Sequence, residues 1–251
     1  MARTSDLDRL IPPEIKDDRF YKFISWVSGR VGAGHVLEIG SSAGGGSTEA
    51  FVQGISASRK KPILHCIEIS APRFEALSRA YADFRFVRCY HMSSVTADEF
   101  PSEDYVSRFY REANSRLAQY PLDEVLRWLR QDIDYLRESG VAGGAIEYIK
   151  RTRSIENFDL VLIDGSEFTG EAEFAKVRGA RIIMLDDICT FKNWNNHERL
   201  LGDSDYRLVV EDRELRNGFS VFCRQDMKLG DFEREPTGLA RLGNYLRNAF
   251  R

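Results

Sequence analysis

Three aspartates stand where two short apolar runs of the sequence end. Asp164 closes the run Phe158–Asp164, and Asp186 and Asp187 close the run that begins at Arg181. Neighbouring parallel strands lie about 4.8 Å apart, so these carboxylates should converge at one edge of a sheet. Converging carboxylates repel each other unless a cation joins them, and three oxygen ligands suit Mg²⁺, or less specifically Ca²⁺ or Mn²⁺. The spacing predicts a metal site at the three aspartates. The alternative is that one aspartate caps a helix and the other two are solvated.

A metal at this position would support chemistry at an oxygen nucleophile. Coordination lowers the pKa of a hydroxyl group and holds its oxygen in place for attack. A proton acceptor is also needed, and His197 lies in the loop and helix after the fifth strand, with an ordinary pKa of about 6.5. Lys192 is a comparable candidate if burial lowers its pKa. His35 and His65 lie at or inside predicted strands and are interpreted as structural, whereas His91 is a weaker candidate base.

The segment Thr190–His197, with the sequence TFKNWNNH, is polar and aromatic. It follows the fifth predicted strand, on the side of the sheet where the aspartates should meet. We expect it to line an acceptor pocket, in which Trp194 stacks on a sugar face and the asparagines bind hydroxyl groups. The alternative is a tryptophan that fixes the helix to the core.

A glycine-rich turn follows the first predicted strand, where HVLEI leads directly into Gly40–Thr48, GSSAGGGST. Such a turn lets the backbone approach a ligand and directs free N–H groups at it. Gly40 and Gly45 have the spacing of a phosphate-binding P-loop, but Gly46 stands where that motif requires lysine. Ser42 stands where the dinucleotide motif GxGxxG requires its second glycine. These substitutions argue against both phosphate-dependent ligand classes.

S-adenosylmethionine is a third ligand class, a nucleoside that carries a sulfonium and an amino acid and needs no phosphate contact. Glu38 ends the first predicted strand, and an acidic residue there suits a cationic ligand better than a polyphosphate. Glu68 ends the second strand, where a carboxylate can accept hydrogen bonds from both ribose hydroxyls. A glycine cluster can also be a plain tight turn. Two strand-end carboxylates at matching positions favour the cofactor.

Short apolar runs alternate with amphipathic stretches along the chain, which is typical of a parallel sheet covered by helices on both faces. Only the short polar link 212–217 separates the last two runs, so these should form an antiparallel pair at one edge. We predict one α/β domain over residues 1–251, with a seven-stranded, mostly parallel sheet in a three-layer sandwich. The predicted strands are His35–Ile39, Ile63–Ile69, Phe84–Cys89, Phe158–Asp164, Arg181–Asp186, Tyr206–Glu211 and Gly218–Arg224.

A long stretch, Ser94–Asn157, separates the third and fourth predicted strands. Leucines and one isoleucine recur at helical spacing over Pro121–Ser139, and Gly140 follows as a stop. The stretch is either an α-hairpin packed on the edge of the domain or a lid or dimerisation element over the active site. The other predicted helices are Glu103–Gln119 in the same stretch, Asp17–Arg30 in an N-terminal extension (residues 1–30) and Thr237–Phe250 at the C-terminus.

The runs VLEIGSSAGGGST, CIEIS and FDLVLIDG together resemble the nucleotide-binding half of the Rossmann-like (class I) S-adenosylmethionine-dependent methyltransferases. The resemblance covers about Val36–Arg224 apart from the helical insertion, and the terminal hairpin fits the seven-stranded sheet of that family. It implies that the methionine part faces the glycine loop, that the ribose faces the second strand end and that the adenine faces the third. The cofactor-binding residues so implied are Glu38, Gly40, Ser41, Gly44, Ser47, Glu68, Met92, Ser93 and Asp164.

IDG followed by LDD is similar to the metal-dependent small-molecule O-methyltransferases, nearest to the group that includes cephalosporin-hydroxylase-like and rhamnosyl or macrolide-sugar enzymes. This resemblance implies Mg²⁺ at Asp164, Asp186 and Asp187 and methylation of a sugar or secondary-metabolite hydroxyl. Many of these relatives read IDGSH, whereas this chain has Glu167 in place of the histidine. The alternatives are a metal-independent N- or carboxyl-methyltransferase and a non-catalytic scaffold that binds an adenosine ligand.

The composition fits a compact protein with a full core. Of 251 residues 43% are hydrophobic, and 36 Lys and Arg against 39 Asp and Glu give a net charge of −3 without a basic run, which argues against a nucleic-acid surface. No apolar run approaches the roughly 20 residues of a membrane span, and the polar N-terminus has no secretory h-region. Four widely separated cysteines are interpreted as reduced thiols. We expect a cytoplasmic protein with a small-molecule acceptor, and both a monomer and a homo-oligomer remain open.

Overall fold

The computed structural model describes residues 10–32 and 34–227. A seven-stranded sheet forms the centre, in the order β3-β2-β1-β4-β5-β7-β6. Strands β1 to β5 are parallel, and β7 runs antiparallel between β5 and β6. This confirms the predicted sheet and its terminal hairpin. The strands are β1 His35–Ile39, β2 Ile63–Glu68, β3 Val87–His91, β4 Leu160–Ile163, β5 Ile182–Asp186, β6 Tyr206–Asp212 and β7 Phe219–Arg224.

Helices cover both faces of the sheet, as its doubly hydrophobic strands require. One face packs against a core to which Phe20, Phe51 and Leu77 contribute, and the other against Ile146 and Phe174. The α-helices are α1 Arg19–Ser28, α2 Ser47–Ala57, α3 Ala71–Ala80, α4 Glu103–Glu112, α5 Leu122–Ser139, α6 Ala145–Arg153, α7 Gly170–Val177 and α8 Trp194–Leu201. None of these has the length and apolarity needed to cross a bilayer. The predicted helix Thr237–Phe250 lies outside the described residues.

The register of the parallel strands brings their carboxyl ends to one edge. Ile39 pairs with Ile67 on one side and with Ile163 on the other, and Ile163 pairs with Leu185. The residues that follow these four positions therefore lie at the same height of the sheet, and each loop begins there or one residue later. The third strand begins at Val87, three residues later than predicted, because the preceding residues make a turn in which the Val87 N–H donates to the Phe84 carbonyl at 2.9 Å.

The insertion between β3 and β4 contains three α-helices, α4, α5 and α6. The predicted helix Glu103–Gln119 is wrong in its second half: α4 ends at Glu112, and a 3₁₀ turn follows at Arg116–Gln119. The chain leaves the helical path there, and the Arg116 N–H donates to the Cys189 carbonyl at 2.8 Å. Helix α5 matches its prediction and ends before Gly140, whose φ of +66° suits a glycine.

Helices α4 and α5 pack against loops of the same domain. The leucine stripe of α5 contributes Leu129 to a cluster with Phe109 of α4, and this cluster contacts Phe168 after β4 and Phe191 after β5. The two phenylalanines extend from the carboxyl edge of the sheet. The insertion therefore contains an α-hairpin that packs on the rest of the domain. The same hairpin lies over the edge of the sheet where the strands end.

Candidate functional site

A cavity of about 500 Å³ opens at the carboxyl edge of the sheet. Its walls come from the glycine loop, from the ends of β2, β3 and β4, and from the segment 11–15 that precedes α1. The insertion adds Phe100, Asp132 and Tyr135, and the loop after β5 adds Lys192. Clefts at the carboxyl ends of parallel strands are where open α/β sheets bind ligands. The cavity is therefore the candidate site.

The glycine loop passes close to its neighbours at two positions. Gly40 has φ of +85°, and a β-carbon there would lie 2.0 Å from the Asp164 carbonyl oxygen. Gly44 has the same φ, and a β-carbon would lie 2.6 Å from the Tyr81 ring. The N–H groups of Gly40 and Ser41 donate to the Ile67 carbonyl. Glycine is required at both positions, because left-handed φ and close approach both exclude a side chain.

Glu38 supports the loop from below and is not among the residues that line the cavity. Its carboxylate is fully buried and accepts hydrogen bonds from the hydroxyls of Ser41 and Thr48, both at 2.7 Å. Burial raises the pKa of Glu38, and these hydroxyls oppose that shift. Gly44 is likewise outside the cavity lining, whereas Gly40, Ser41 and Ser47 belong to it. The structure thus separates two expected cofactor residues from the cavity surface.

Glu68 lines the cavity at the end of β2. One oxygen accepts from the Ser42 N–H and the other from the Ser70 N–H, both at 2.7 Å. A carboxylate offers about four lone-pair sites, so Glu68 can still accept from a ligand hydroxyl. Met92 and Ser93 follow β3 and also line the cavity, beside Glu68.

Lys192 lines the cavity and lies among carboxylates. Its ammonium nitrogen is 2.9 Å from Asp164 Oδ1 and 2.6 Å from Asp187 Oδ2, and only 9% of the side chain is exposed. Burial alone would lower the pKa of Lys192, but Asp164 and Asp187 raise it well above its usual range. Lys192 is therefore a cation at neutral pH and not the general base that the sequence suggested as a rival to His197.

The three aspartates converge, with one carboxylate oxygen from each lying within 4.8 Å of the others. Asp164 alone of the three lines the cavity. Asp186 is buried and pairs with Arg216 at 3.0 Å, and burial raises the pKa of Asp186 to about 7. Asp187 Oδ1 is buried and has no hydrogen-bond partner among the described residues. The three carboxylates therefore lie close together, as expected from their positions at the ends of two neighbouring strands.

Magnesium does not fit this cluster as the side chains stand. Mg²⁺ binds carboxylate oxygens at about 2.0–2.1 Å in near-octahedral geometry. One oxygen on each aspartate already faces a cationic group, Lys192 for Asp164 and Asp187, and Arg216 for Asp186. A dication held by the remaining oxygens would lie close to the Lys192 ammonium and be repelled by it. The cluster is arranged around a lysine.

Two carboxyl groups at this end were not singled out in the sequence as site residues. Glu167 accepts from the Thr190 hydroxyl at 3.1 Å and from the Lys192 N–H at 3.2 Å, and burial raises the pKa of Glu167 to about 7. Asp132 of α5 accepts from the Ser166 hydroxyl, and burial raises the pKa of Asp132. The position of Glu167 three residues after Asp164 was a usable signal, whereas no local pattern marks Asp132.

No family model matches the sequence, and no curated protein matches it significantly. Solved structures do. A Staphylococcus aureus protein assigned as a caffeoyl-CoA O-methyltransferase has a TM-score of 0.51 at 11% identity, covering 84% of this chain and 85% of its own. An O-methyltransferase of Bacillus cereus in complex with SAH has a TM-score of 0.48 at 13% identity, covering 85% and 84%. An O-methyltransferase of tomaymycin synthesis from Streptomyces achromogenes, in complex with SAM, has a TM-score of 0.46 at 14% identity, covering 82% and 79%.

This chain has the class I methyltransferase fold. Within this methyltransferase fold, His197 lies away from the cavity. It is buried on α8, with Nδ1 3.0 Å from the Ser220 hydroxyl and Nε2 3.0 Å from Arg213. Burial also lowers the pKa of His197. His197 therefore packs between α8 and the terminal hairpin, outside the residues that line the cavity, and its expected catalytic role stays a prediction.

The expected acceptor segment Thr190–His197 divides between two places in the methyltransferase fold. Lys192 reaches the cavity, but Trp194 and Asn195 line a separate hollow of about 380 Å³ together with Tyr105 of α4. Trp194 also packs against Phe109. The tryptophan therefore joins α8 to the insertion, which was the structural alternative.

Proposed function

We propose that this chain transfers a methyl group from S-adenosylmethionine to a hydroxyl group of a small molecule such as a sugar or a secondary metabolite. One observation carries the proposal: a single cavity extends from the glycine loop and Glu68 to Asp164, Glu167 and Lys192. A donor bound beside the glycine loop and Glu68 and an acceptor bound beside Asp164, Glu167 and Lys192 would meet within one cavity. Proximity of this kind supplies a large part of the barrier reduction in bimolecular reactions.

The donor end suits a nucleoside. The two oxygens of Glu68 are held by backbone N–H groups, so the carboxylate is fixed in place to accept from both ribose hydroxyls. The glycine loop brings bare backbone to the cavity at Gly40 and Ser41. Met92 offers an apolar, polarisable surface for an adenine ring.

The acceptor end suits a hydroxyl group. The acceptor oxygen attacks the methyl carbon, the carbon–sulfur bond breaks with its electron pair remaining on sulfur, and S-adenosylhomocysteine leaves as a neutral thioether. The hydroxyl proton passes to a carboxylate of the cavity, either Asp164 or Glu167. A group with a pKa near 7, as for Glu167, is well matched to accepting a proton at neutral pH. The Lys192 ammonium would stabilise the oxygen as it loses the proton.

A magnesium-assisted version of the same transfer is a second candidate. The unpartnered Asp187 Oδ1 and the convergence of Asp164, Asp186 and Asp187 support it. Magnesium would lower the pKa of the acceptor hydroxyl. This version requires Lys192 to leave the aspartates, and for that reason it is the second choice.

The test begins with the donor. S-adenosylhomocysteine should raise the melting temperature of the full chain, because it binds the native state, whereas NAD and ATP should not. A panel of acceptors that differ only in bearing a hydroxyl, an amine or a carboxyl group, scored by release of S-adenosylhomocysteine, then separates O-methylation from N- and carboxyl-methylation. A shift with NAD and none with S-adenosylhomocysteine contradicts the proposal. Cofactor binding without turnover of any acceptor class would favour a non-catalytic protein.

A further inference from the structure

We propose that Lys192 is a built-in cation that replaces a divalent metal at the aspartate cluster, so that the native protein binds no metal there and presents an ammonium group to the acceptor. The acceptor part of this proposal rests on the proposed function. The metal part concerns only the chain's own residues and can be tested without any acceptor.

The position of the ammonium group is the first argument. Lys192 Nζ lies within 3 Å of oxygens on both Asp164 and Asp187, whose side chains are 19% and 10% exposed. An ammonium group has three N–H donors, so these two contacts leave one for another partner. Lys192 also lines the cavity. The remaining donor can therefore serve the acceptor oxygen while the other two keep the nitrogen in place.

The loop that carries Lys192 is fixed to the sheet on either side of the side chain. The Lys192 N–H donates to Glu167, and a β-carbon on Gly170 would lie 1.9 Å from the Lys192 carbonyl oxygen. The next residue, Asn193, is fully buried and donates to the carbonyls of Ile163 and Asp186 at 3.1 and 2.7 Å. These contacts tie the loop to the ends of β4 and β5. The backbone of Lys192 is therefore held in place, unlike that of a lysine on a free surface loop, and this fixes where the ammonium group lies.

The charge balance of the cluster is the second argument. Asp164 and Asp187 share Lys192, and Asp186 has Arg216, whose guanidinium also pairs with Asp18. Two cations therefore face four carboxylates, the three of the cluster and Asp18, before any ligand binds. Removing one cation would leave the carboxylates close together without sufficient neutralisation, which is the condition under which a metal binds. Lys192 is the cation to remove, because it contacts two of the three.

The experiment is a Mn²⁺ titration followed by electron paramagnetic resonance, with Mn²⁺ alone as the probe. The wild-type chain should leave the free-ion signal unchanged at low millimolar Mn²⁺. Lys192→Met keeps the length of the side chain without its charge and should take up one Mn²⁺ per chain, at least tenfold more tightly than wild type. Lys192→Arg keeps a cation and should exclude Mn²⁺ as wild type does.

Lys176→Met is the matched control. Lys176 is also a mostly buried lysine that bridges two carboxylates, Glu99 and Glu147, both at 2.8 Å, but it lies outside the cavity lining. This variant should gain no tight Mn²⁺ site. Stoichiometric Mn²⁺ binding by the wild-type chain that Asp187→Asn removes would overturn the proposal, and so would equal binding by wild type and Lys192→Met. The wild-type measurement decides even if a variant fails to fold.

S-adenosylhomocysteine binding, measured by calorimetry on the same samples, keeps the two proposals separate. If the wild-type chain does not bind S-adenosylhomocysteine, the proposed function is refuted. The result of the metal titration is unaffected by this outcome. Intact cofactor binding together with a tight wild-type metal site would refute only the role of Lys192. Once an acceptor is known, wild-type turnover should be the same with and without EDTA.

Discussion

The backbone carbonyl of Asp164 lies beneath the α-carbon of Gly40, so close that a β-carbon would stand 2.0 Å from the oxygen. The glycine loop and Asp164 therefore approach each other closely through their backbones. Asp164 is positioned by the same strand pair, β1 and β4, that positions the loop.

Gly40→Ala should disrupt this contact. The methyl group would force Asp164 or the loop to move, and the left-handed φ adds a strain of order 1–3 kcal/mol. We expect a lower unfolding midpoint and at least a tenfold loss of affinity for S-adenosylhomocysteine, measured by denaturant unfolding and calorimetry. Gly32→Ala is the control, since a β-carbon there would have no atom within 4 Å and Gly32 lies outside the cavity lining. Equal effects of the two substitutions would contradict this reading of the loop.

Glu68→Gln should weaken cofactor binding. The change removes the charge from hydrogen bonds to the ribose, and charge-assisted hydrogen bonds contribute about 1.5–3 kcal/mol. Affinity for S-adenosylhomocysteine should fall by roughly tenfold or more, as measured by calorimetry. Glu75→Gln, at an exposed position of α3, is the matched substitution and should leave affinity unchanged. An unaltered affinity in Glu68→Gln would remove this residue from the donor site.

Glu167 should set a pH dependence near neutrality. Burial raises the pKa of Glu167 from 4.5 to about 7, so the folded state binds this proton more tightly than the unfolded state. Its contribution to stability is complete below about pH 4.5 and is lost as the pH rises through about 7. The wild-type chain should therefore lose stability relative to Glu167→Gln as the pH rises from about 4.5 to about 7, measured by denaturant unfolding. Parallel stability curves would contradict the shifted pKa.

The same carboxyl group should shape the rate profile if it accepts the proton. The ionised form is the base, so wild-type turnover should rise with pH through about 7. Glu167→Gln should lower kcat and flatten this rise. If the pH dependence of turnover is the same in Glu167→Gln and in wild type, the group that accepts the hydroxyl proton is Asp164 and not Glu167.

His197→Ala should affect stability and not cofactor binding. The substitution leaves the buried Ser220 hydroxyl without its ring partner, and loss of a buried hydrogen-bond partner costs about 1–3 kcal/mol. The unfolding midpoint should fall while affinity for S-adenosylhomocysteine stays within twofold of wild type. A stable variant with impaired cofactor binding would return His197 to the site.

The sheet could be predicted because its strands are apolar runs that a parallel sheet requires, and because residues at strand ends inherit their position from the register. Glu68 and Asp164 were identified in this way, and both line the cavity. Glu38 was also predicted to end a strand, but β1 continues to Ile39, and the Glu38 side chain turns towards Ser41 and Thr48. A position at a strand end gives the edge of the sheet but not the direction of the side chain.

The loop after β5 shows where such reasoning fails. Lys192 and His197 are five residues apart, and the sequence offered both as candidate bases. The buried Asn193 immediately precedes α8 and donates hydrogen bonds to carbonyls at the ends of β4 and β5. With Asn193 fixed in this way, Lys192 faces the cavity and His197 faces the hairpin. That division depends on contacts between distant segments. The same holds for Asp132, whose place at the cavity depends on how α5 packs against Phe168 and Phe191.

Asp132 and Tyr135 reach the cavity from α5, a helix of the insertion between β3 and β4 and not part of the sheet. The donor end, by contrast, is assembled from strand ends and the loop they fix. In the proposed enzyme, mutational drift in a single helix could alter which acceptor is recognised while the donor machinery stays constant. An engineer who wished to retarget the reaction would begin with the cavity-facing side of α5 and leave the β-strands untouched.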